Sequence, residues 1–201
     1  AMDDGYINKN STVETGNGSY KFYGRTITDT HGYGRITVDG VIKKSSNIGT
    51  AKIINQYYGA NPSSFFEKLD KWHMTKPLDV DILGEGRPIM HRPDSKAWSN
   101  ITLPVMGYGY GLQLTPIQIV TFYNAVANNG KMLKPLFMDK KKKKGEADKI
   151  FQPVVLVDQL TSLDNIKQMQ EMLRGAVEQG TGRIISNSNY DIAGKTGTAR
   201  V

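Results

Sequence analysis

The sequence predicts an α+β fold that is mainly helical, with an incomplete sheet. Three observations predict it. Apolar residues recur at helical spacing over several segments, and two of these carry clear start and stop signals. One short hairpin pattern lies near the N-terminus. One further strand pattern stands by itself at the very end, and a lone strand needs partners to be stable.

The elements follow in order. Residues 3–18 are polar and rich in Gly, Asn and Thr, so residues 1–18 read as a loop segment preceding a domain over 19–201. Tyr20-Lys21-Phe22-Tyr23, then Gly24, then Arg25-Thr26-Ile27-Thr28 reads as the hairpin. Ile36 to Lys44 reads as a short helix. After Ser45-Ser46-Asn47, residues Ile48, Ala51, Lys52, Ile53, Ile54 and Tyr57 continue a helical pattern that Gly59 stops. Ser64-Phe65-Phe66-Glu67 has the form of a capping box, opening a helix that carries Leu69 and Trp72. Residues 76–111 hold Pro77, Pro88, Pro93, Pro104 and many glycines, and read as a long irregular stretch.

Thr115-Pro116-Ile117-Gln118 is the strongest helix start, with Thr as cap, Pro at the first helical position and Gln three residues after the cap. Ile117, Val120, Phe122, Tyr123 and Val126 make that helix apolar on most sides, which places it at the domain centre. Asn129-Gly130 ends it. Ser162 to Gln179 is the next helix, with Ile166, Met169, Met172, Leu173 and Val177 on one face and Gly180 as its stop. Tyr190 to Val201 reads as the terminal strand.

Composition excludes several classes of function. Hydrophobic residues make up 38% and charged residues 22% of the 201, which fits a globular chain and excludes a disordered one. The net charge is +7, and part of it is the run Lys140 to Lys144, which reads as a solvated loop. No RNA- or DNA-binding motif accompanies it, so nucleic acid is not an expected partner. There are no cysteines, and His31, His73 and His91 lack ligand spacing, so no metal or other cofactor is expected. No stretch approaches the ~18 apolar residues of a membrane span.

Two triplets carry chemistry: Ser45-Ser46-Asn47 and Lys195-Thr196-Gly197. Each is weak alone. The first could simply cap the following helix, and the second could be an ordinary turn. In this order they match a Ser-x-Asn element followed by K-T-G, two of three motifs of serine acyltransferases that act on D-alanyl peptides and β-lactams. The likeness continues through Gly24-Arg25-Thr26-Ile27-Thr28-Asp29, Gly107-Tyr108-Gly109-Tyr110-Gly111, Tyr123 to Gly130, Gly180-Thr181-Gly182 and Ala193 to Ala199. Over roughly residues 15–201 the chain resembles the class B penicillin-binding proteins, and the Gly-Tyr-Gly approach to the Thr-Pro helix is more similar to their division-type branch.

The resemblance implies a penicillin-binding protein transpeptidase or β-lactamase-like fold, here its helical part plus the K-T-G strand. It also implies roles. Ser45 would relay a proton, and Asn47 would hold the substrate amide and the lysine of the nucleophile motif. Ser46 would point away. Lys195 would supply positive charge to the relay and the substrate carboxylate. Gly197 would let the substrate backbone approach the strand edge. The hydroxyls of Thr196 and Thr198 would bind the terminal carboxylate, and the Thr198 N–H would be one oxyanion donor. The implied partners are peptidoglycan stem peptides, β-lactams, division proteins and a glycan polymerase. The implied location is outside the cytoplasm, on a single-span membrane anchor.

One departure matters. No lysine in the chain has a serine three residues before it, so the nucleophile motif S-x-x-K is absent. The chain is expected to be an internal piece, truncated at both ends and inactive by itself. A β-lactam sensor, a β-lactamase and a non-catalytic module of the same superfamily stay open as alternatives.

Overall fold

The computed structural model describes residues 1–145 and 147–197. The chain begins with β1 (Thr12–Glu14), the hairpin β2 (Ser19–Phe22) and β3 (Arg25–Thr28), and β4 (Arg35–Thr37). Helices α1 (Val38–Lys44), α2 (Asn47–Tyr58) and α3 (Pro62–Lys71) follow. Then come β5 (Ile89–Met90), α4 (Thr102–Gly107), β6 (Leu112–Gln113) and α5 (Pro116–Ala127). The last part holds β7 (Met132–Leu133), β8 (Lys140–Lys141), β9 (Lys149–Ile150), β10 (Val155–Val157) and α6 (Leu163–Glu178). Among the described residues the strands form separate antiparallel pairs: β1–β4, β2–β3, β5–β6, β7–β10 and β8–β9.

Local chemistry explains the helix starts. Thr37 accepts a hydrogen bond from the Gly40 N–H at 3.0 Å and caps α1. Asp39 lies in its first turn and Lys43 and Lys44 in its last, each sign facing the favourable end of the helix dipole. Thr115 and Gln118 form the reciprocal box that opens α5, as expected. Ser162 caps α6 by accepting from the Asn165 N–H at 3.2 Å.

Three apolar clusters carry the packing. One joins Leu78, Val80, Ala125, Val126, Met132, Leu160, Ile166 and Leu173, with Trp72 and Phe122 against it. A second joins the β2–β3 hairpin to α2 through Phe22, Ile27, Ile48 and Ala51, with Val105 of α4 packed against it. A third sets Val38 and Val41 of α1 against Ile53 of α2 and Met172 of α6. The α1–α2 corner is thus buried on both flanks.

Five expectations need correction. Residues 3–18 are not all loop: Thr12, Val13 and Glu14 pair with Thr37, Ile36 and Arg35. Val13 packs on the third cluster, and a three-residue strand inside polar sequence gives little periodic signal. Ile36 therefore belongs to β4 and not to the first helix. The third helix starts at Pro62, with Asn61 before it, and Ser64 lies inside it donating its hydroxyl to Asn61 O at 2.7 Å. Proline at the first turn, where its missing N–H costs nothing, won over the Ser-x-x-Glu pattern.

α5 is not buried all round. Val120 is 63% exposed, and Ile119 and Tyr123 also face outward. Only the flank carrying Ala125 and Val126 meets the core. Residues 190–197 form no strand, because no neighbouring strand offers them a ladder among the described residues. The stretch 76–111 is mostly irregular as expected, but it contains β5 and α4. Glu85 folds it by accepting from the N–H groups of Leu78 (2.6 Å) and Val80 (3.0 Å).

Candidate functional site

The first wall of the site is the junction between α1 and α2. Ser45 ends α1 with φ 55° and ψ 45°, in the left-handed region. Its N–H donates to Ile42 O at 3.2 Å, and the Ser46 N–H donates to Val41 O at 3.0 Å. Glycine is the ordinary residue at such a helix end, and a side chain there costs on the order of 1 kcal/mol. A serine held in that conformation is a strained residue with a hydroxyl to present.

Ser46 turns the chain into α2 and points inward. It is 1% exposed, accepts from the Gly49 N–H at 2.9 Å and donates to Asp29 Oδ2 at 2.6 Å. The same Asp29 carboxylate accepts from the N–H groups of Asn47 (2.6 Å) and Ile48 (3.1 Å). An anion at a helix N-terminus is favoured by the helix dipole and by the unpaired N–H groups there. Asn47 donates its Nδ2 to Thr28 O at 3.0 Å, which fixes the carboxamide beside the end of β3. A Cβ on Gly49 would lie 2.6 Å from Val41 Cγ2, so the glycine is what lets the two helices close on this turn.

The second wall is the segment leading to Gly197. Asp191 pairs with Arg174 at 3.0 Å, and the Gly194 N–H donates to Leu173 O at 3.1 Å, so α6 carries the segment. Lys195 Nζ then donates to Ser45 Oγ at 2.6 Å, across 150 positions of sequence. It also reaches Thr196 O and Thr196 Oγ1, each at 3.3 Å. The ammonium is half-buried, and burial pushes its pKa down from the ordinary lysine value. No carboxylate lies within ion-pair distance of it among the described residues. A Cβ on Gly197 would meet no atom of the described residues within 4 Å, so their packing does not demand this glycine and the space before it is open groove. Thr198 lies outside the described residues.

Thr181 joins the two walls. The hydroxyls of Thr181 and Thr196 are 2.8 Å apart. The Thr181 N–H donates to Lys43 O at 3.1 Å, and a Cβ on Gly180 would sit 2.2 Å from that same oxygen. Glycine at 180 is therefore what allows α6 to end against α1.

Between the walls lies a groove of about 560 Å³, lined also by Thr50, Tyr108, Tyr110 and Tyr123. Gly109 and Gly111 have φ of 97° and 72°, so the glycines in this stretch serve backbone geometry. They bring the rings of Tyr108 and Tyr110 edge to face at 5.3 Å. Tyr108 also packs on the Ile48 cluster, so the stretch is anchored. Ser45, Asn47, Lys195, Thr196 and Gly197 all line this one groove. A half-buried cation bonded to a hydroxyl, with further hydroxyls beside it, can pass a proton along the wall and hold an anionic ligand.

Sequence reasoning missed two residues here. Asp29 holds the turn, and Thr181 bridges the walls. Both stood inside strings used for the family likeness. The signals were an acid just after a strand pattern and a threonine between two glycines.

The comparisons with known proteins agree with this geometry. The family model for the penicillin binding protein transpeptidase domain matches residues 1–201. The chain is 28% identical over its whole length to "Penicillin-binding protein PbpB" of Mycolicibacterium smegmatis, covering 31% of that protein. It is 27% identical to "Peptidoglycan D,D-transpeptidase FtsI" of Escherichia coli, again covering 31%. It thus spans about a third of the length of the curated relatives it matches. Among solved structures, penicillin-binding protein 3 of Mycobacterium tuberculosis complexed with ampicillin matches with a TM-score of 0.85 at 26% identity, over 98% of this chain and 44% of that one. A peptidoglycan glycosyltransferase from Burkholderia ambifaria matches with a TM-score of 0.83 at 30% identity, over 98% of this chain and 58% of that one. Sequence and fold agree over the full length, and the chain belongs to the penicillin-binding protein transpeptidase domain family.

Proposed function

We propose that the groove is the substrate groove of a peptidoglycan D,D-transpeptidase that cross-links D-Ala-D-Ala stem peptides through a serine acyl-enzyme, acts in cell division and is acylated by penicillin. The observation that carries the reading is the 2.6 Å bond from Lys195 Nζ to Ser45 Oγ. It joins the two motifs whose chemistry the reaction needs. The named relatives, peptidoglycan D,D-transpeptidases and penicillin-binding proteins, support it.

The roles follow from chemistry. Acyl transfer needs an activated serine, a proton route to the leaving amine and donors for the oxyanion. Ser45 relays the proton, and the half-buried Lys195 makes that hydroxyl easier to deprotonate. Lys195 with Thr196 and Thr198 attracts the substrate carboxylate, and the Thr198 N–H serves the oxyanion. Asn47 holds the substrate amide and the lysine of the nucleophile motif. Gly197 leaves room for the ligand backbone to lie along the segment. No cofactor enters the reaction.

The chain holds no Ser-x-x-Lys, so the nucleophile comes from sequence outside it, and residues 1–201 alone form no acyl-enzyme. Among the described residues no helix is long and apolar enough to cross a membrane. The domain works outside the cytoplasm, held by a single-span anchor elsewhere in the protein, beside division proteins and a glycan polymerase. A fluorescent penicillin tests the reading. It should label the full-length protein stably and leave residues 1–201 unlabelled. Label on residues 1–201 would overturn the missing-nucleophile reading, and rapid loss of label by hydrolysis would favour a β-lactamase.

A further inference from the structure

A ribbon that plays no part in the groove projects beyond the β7–β10 pairing. From Leu133 and Val155 it continues through the Lys134 N–H bonded to Val154 O at 2.9 Å and the Phe151 N–H bonded to Asp139 O at 2.9 Å. It ends in β8 and β9, where Lys140 faces Ile150 and Lys141 faces Lys149. No third strand joins it among the described residues. A free two-stranded ribbon is marginal in water unless something packs on it.

Two independent features coincide on this ribbon. The first is charge. Between residues 139 and 149 the sequence has six lysines against Asp139, Glu146 and Asp148, which puts three of the chain's seven net positive charges on one arm. The lysines are exposed, and Lys140 pairs with Asp148 at 2.6 Å. The second is apolar exposure. Phe137 is 53% and Ile150 62% exposed, and Leu136, Met138, Val154 and Val155 are exposed as well. Residues directly opposite on a ribbon share a face, so Lys140 and Ile150 stand side by side, and the Lys149 ammonium lies 5.0 Å from the Phe151 ring centre.

A solvated loop accounts for the lysines and leaves the six apolar side chains without a reason. A soluble polyanion uses the lysines alone. An anionic bilayer surface uses both: ammonium groups reach the lipid phosphates while apolar side chains enter the boundary between headgroups and acyl chains. We infer that the ribbon over residues 133–155 is a membrane-surface arm that docks on anionic phospholipid. The inference stands apart from the groove and holds or fails without it.

Flotation of the 201-residue chain with vesicles tests it. The chain should float with phosphatidylglycerol-rich vesicles and remain behind with pure phosphatidylcholine vesicles. Binding should fall at least tenfold in about 0.5 M salt, where surface charges are screened. Changing Lys141, Lys142 and Lys144 together to Glu should weaken binding at least tenfold. Changing Phe137 and Ile150 together to Ser should weaken it at least threefold, with thermal unfolding unchanged in both variants. In F137W, tryptophan emission should shift to the blue on phosphatidylglycerol vesicles. Equal binding to both vesicle types, or none to either, would overturn the inference. So would full binding by the serine variant combined with complete competition from polyphosphate, which would assign the arm to a soluble polyanion.

Discussion

The two walls of the groove are built differently. The Ser45-Ser46-Asn47 wall is held by its own backbone: it joins two capped helices, buries Ile48 and Ser46, and ties Asp29 to three groups at once. The Lys195-Thr196-Gly197 wall has no ladder of its own among the described residues. It hangs on α6 by the Asp191–Arg174 pair and the Gly194–Leu173 hydrogen bond, and it meets the first wall through Lys195 and Thr181. The contrast teaches that the site is a rigid turn against which a lightly held segment is positioned. The turn fixes geometry, and the segment brings charge and an open backbone.

Ile48→Ala should give the largest effect. It empties a fully buried position beside Asn47 and should cost about 3 kcal/mol, read by urea unfolding. A loss under ~1 kcal/mol would mean the turn is not anchored through its core. Next is Asp29→Ala, which removes one carboxylate from three donors and leaves the buried Ser46 O–H without its acceptor. It should cost about 2 kcal/mol, with Asp29→Asn recovering part of that.

pH sharpens the comparison on the second wall. The Lys195 pKa is lowered by burial, so the unfolded chain binds that proton more tightly than the folded one. Between the depressed folded pKa and the ordinary lysine value, the unfolded state holds more protons, and this residue's contribution to stability rises with pH. Lys195→Met should remove that rise, seen as a smaller gain in unfolding free energy as the pH is raised toward the ordinary lysine value. The smallest effect belongs to Arg174→Ala. Its side chain is exposed, so thermal unfolding should barely change, yet the Lys195 segment should become more mobile in amide exchange. A large fall in melting temperature would mean the second wall is not lightly held.

Much of the first wall was legible in sequence because its chemistry is local. Ser46, Gly59, Thr115 and Ser162 punctuate helices within a few residues of where they act, whereas Thr37, read as part of the first helix, is its cap. The pairing of Ser45 with Lys195 was legible only through the order of the two motifs, since nothing local joins residues 150 positions apart. What failed was non-local. Whether Val13 finds a strand partner, whether Tyr190 to Gly197 finds one, and which side of α5 is covered all depend on distant chain. The apolar sequence of α5 stated a need for burial on more sides than the described residues provide. The roles of Asp29 and Thr181 likewise come from contacts that spacing does not encode.

The claim that Ser45 and Lys195 act as one unit is tested most directly by a double-mutant cycle in the full-length protein. The readout is the second-order rate of penicillin acylation for Ser45→Ala, Lys195→Met and both together. The account predicts that each single change costs about 100-fold or more, and that the double variant is no slower than the worse single. Losses that multiply in the double variant would show two residues acting separately, and would contradict it.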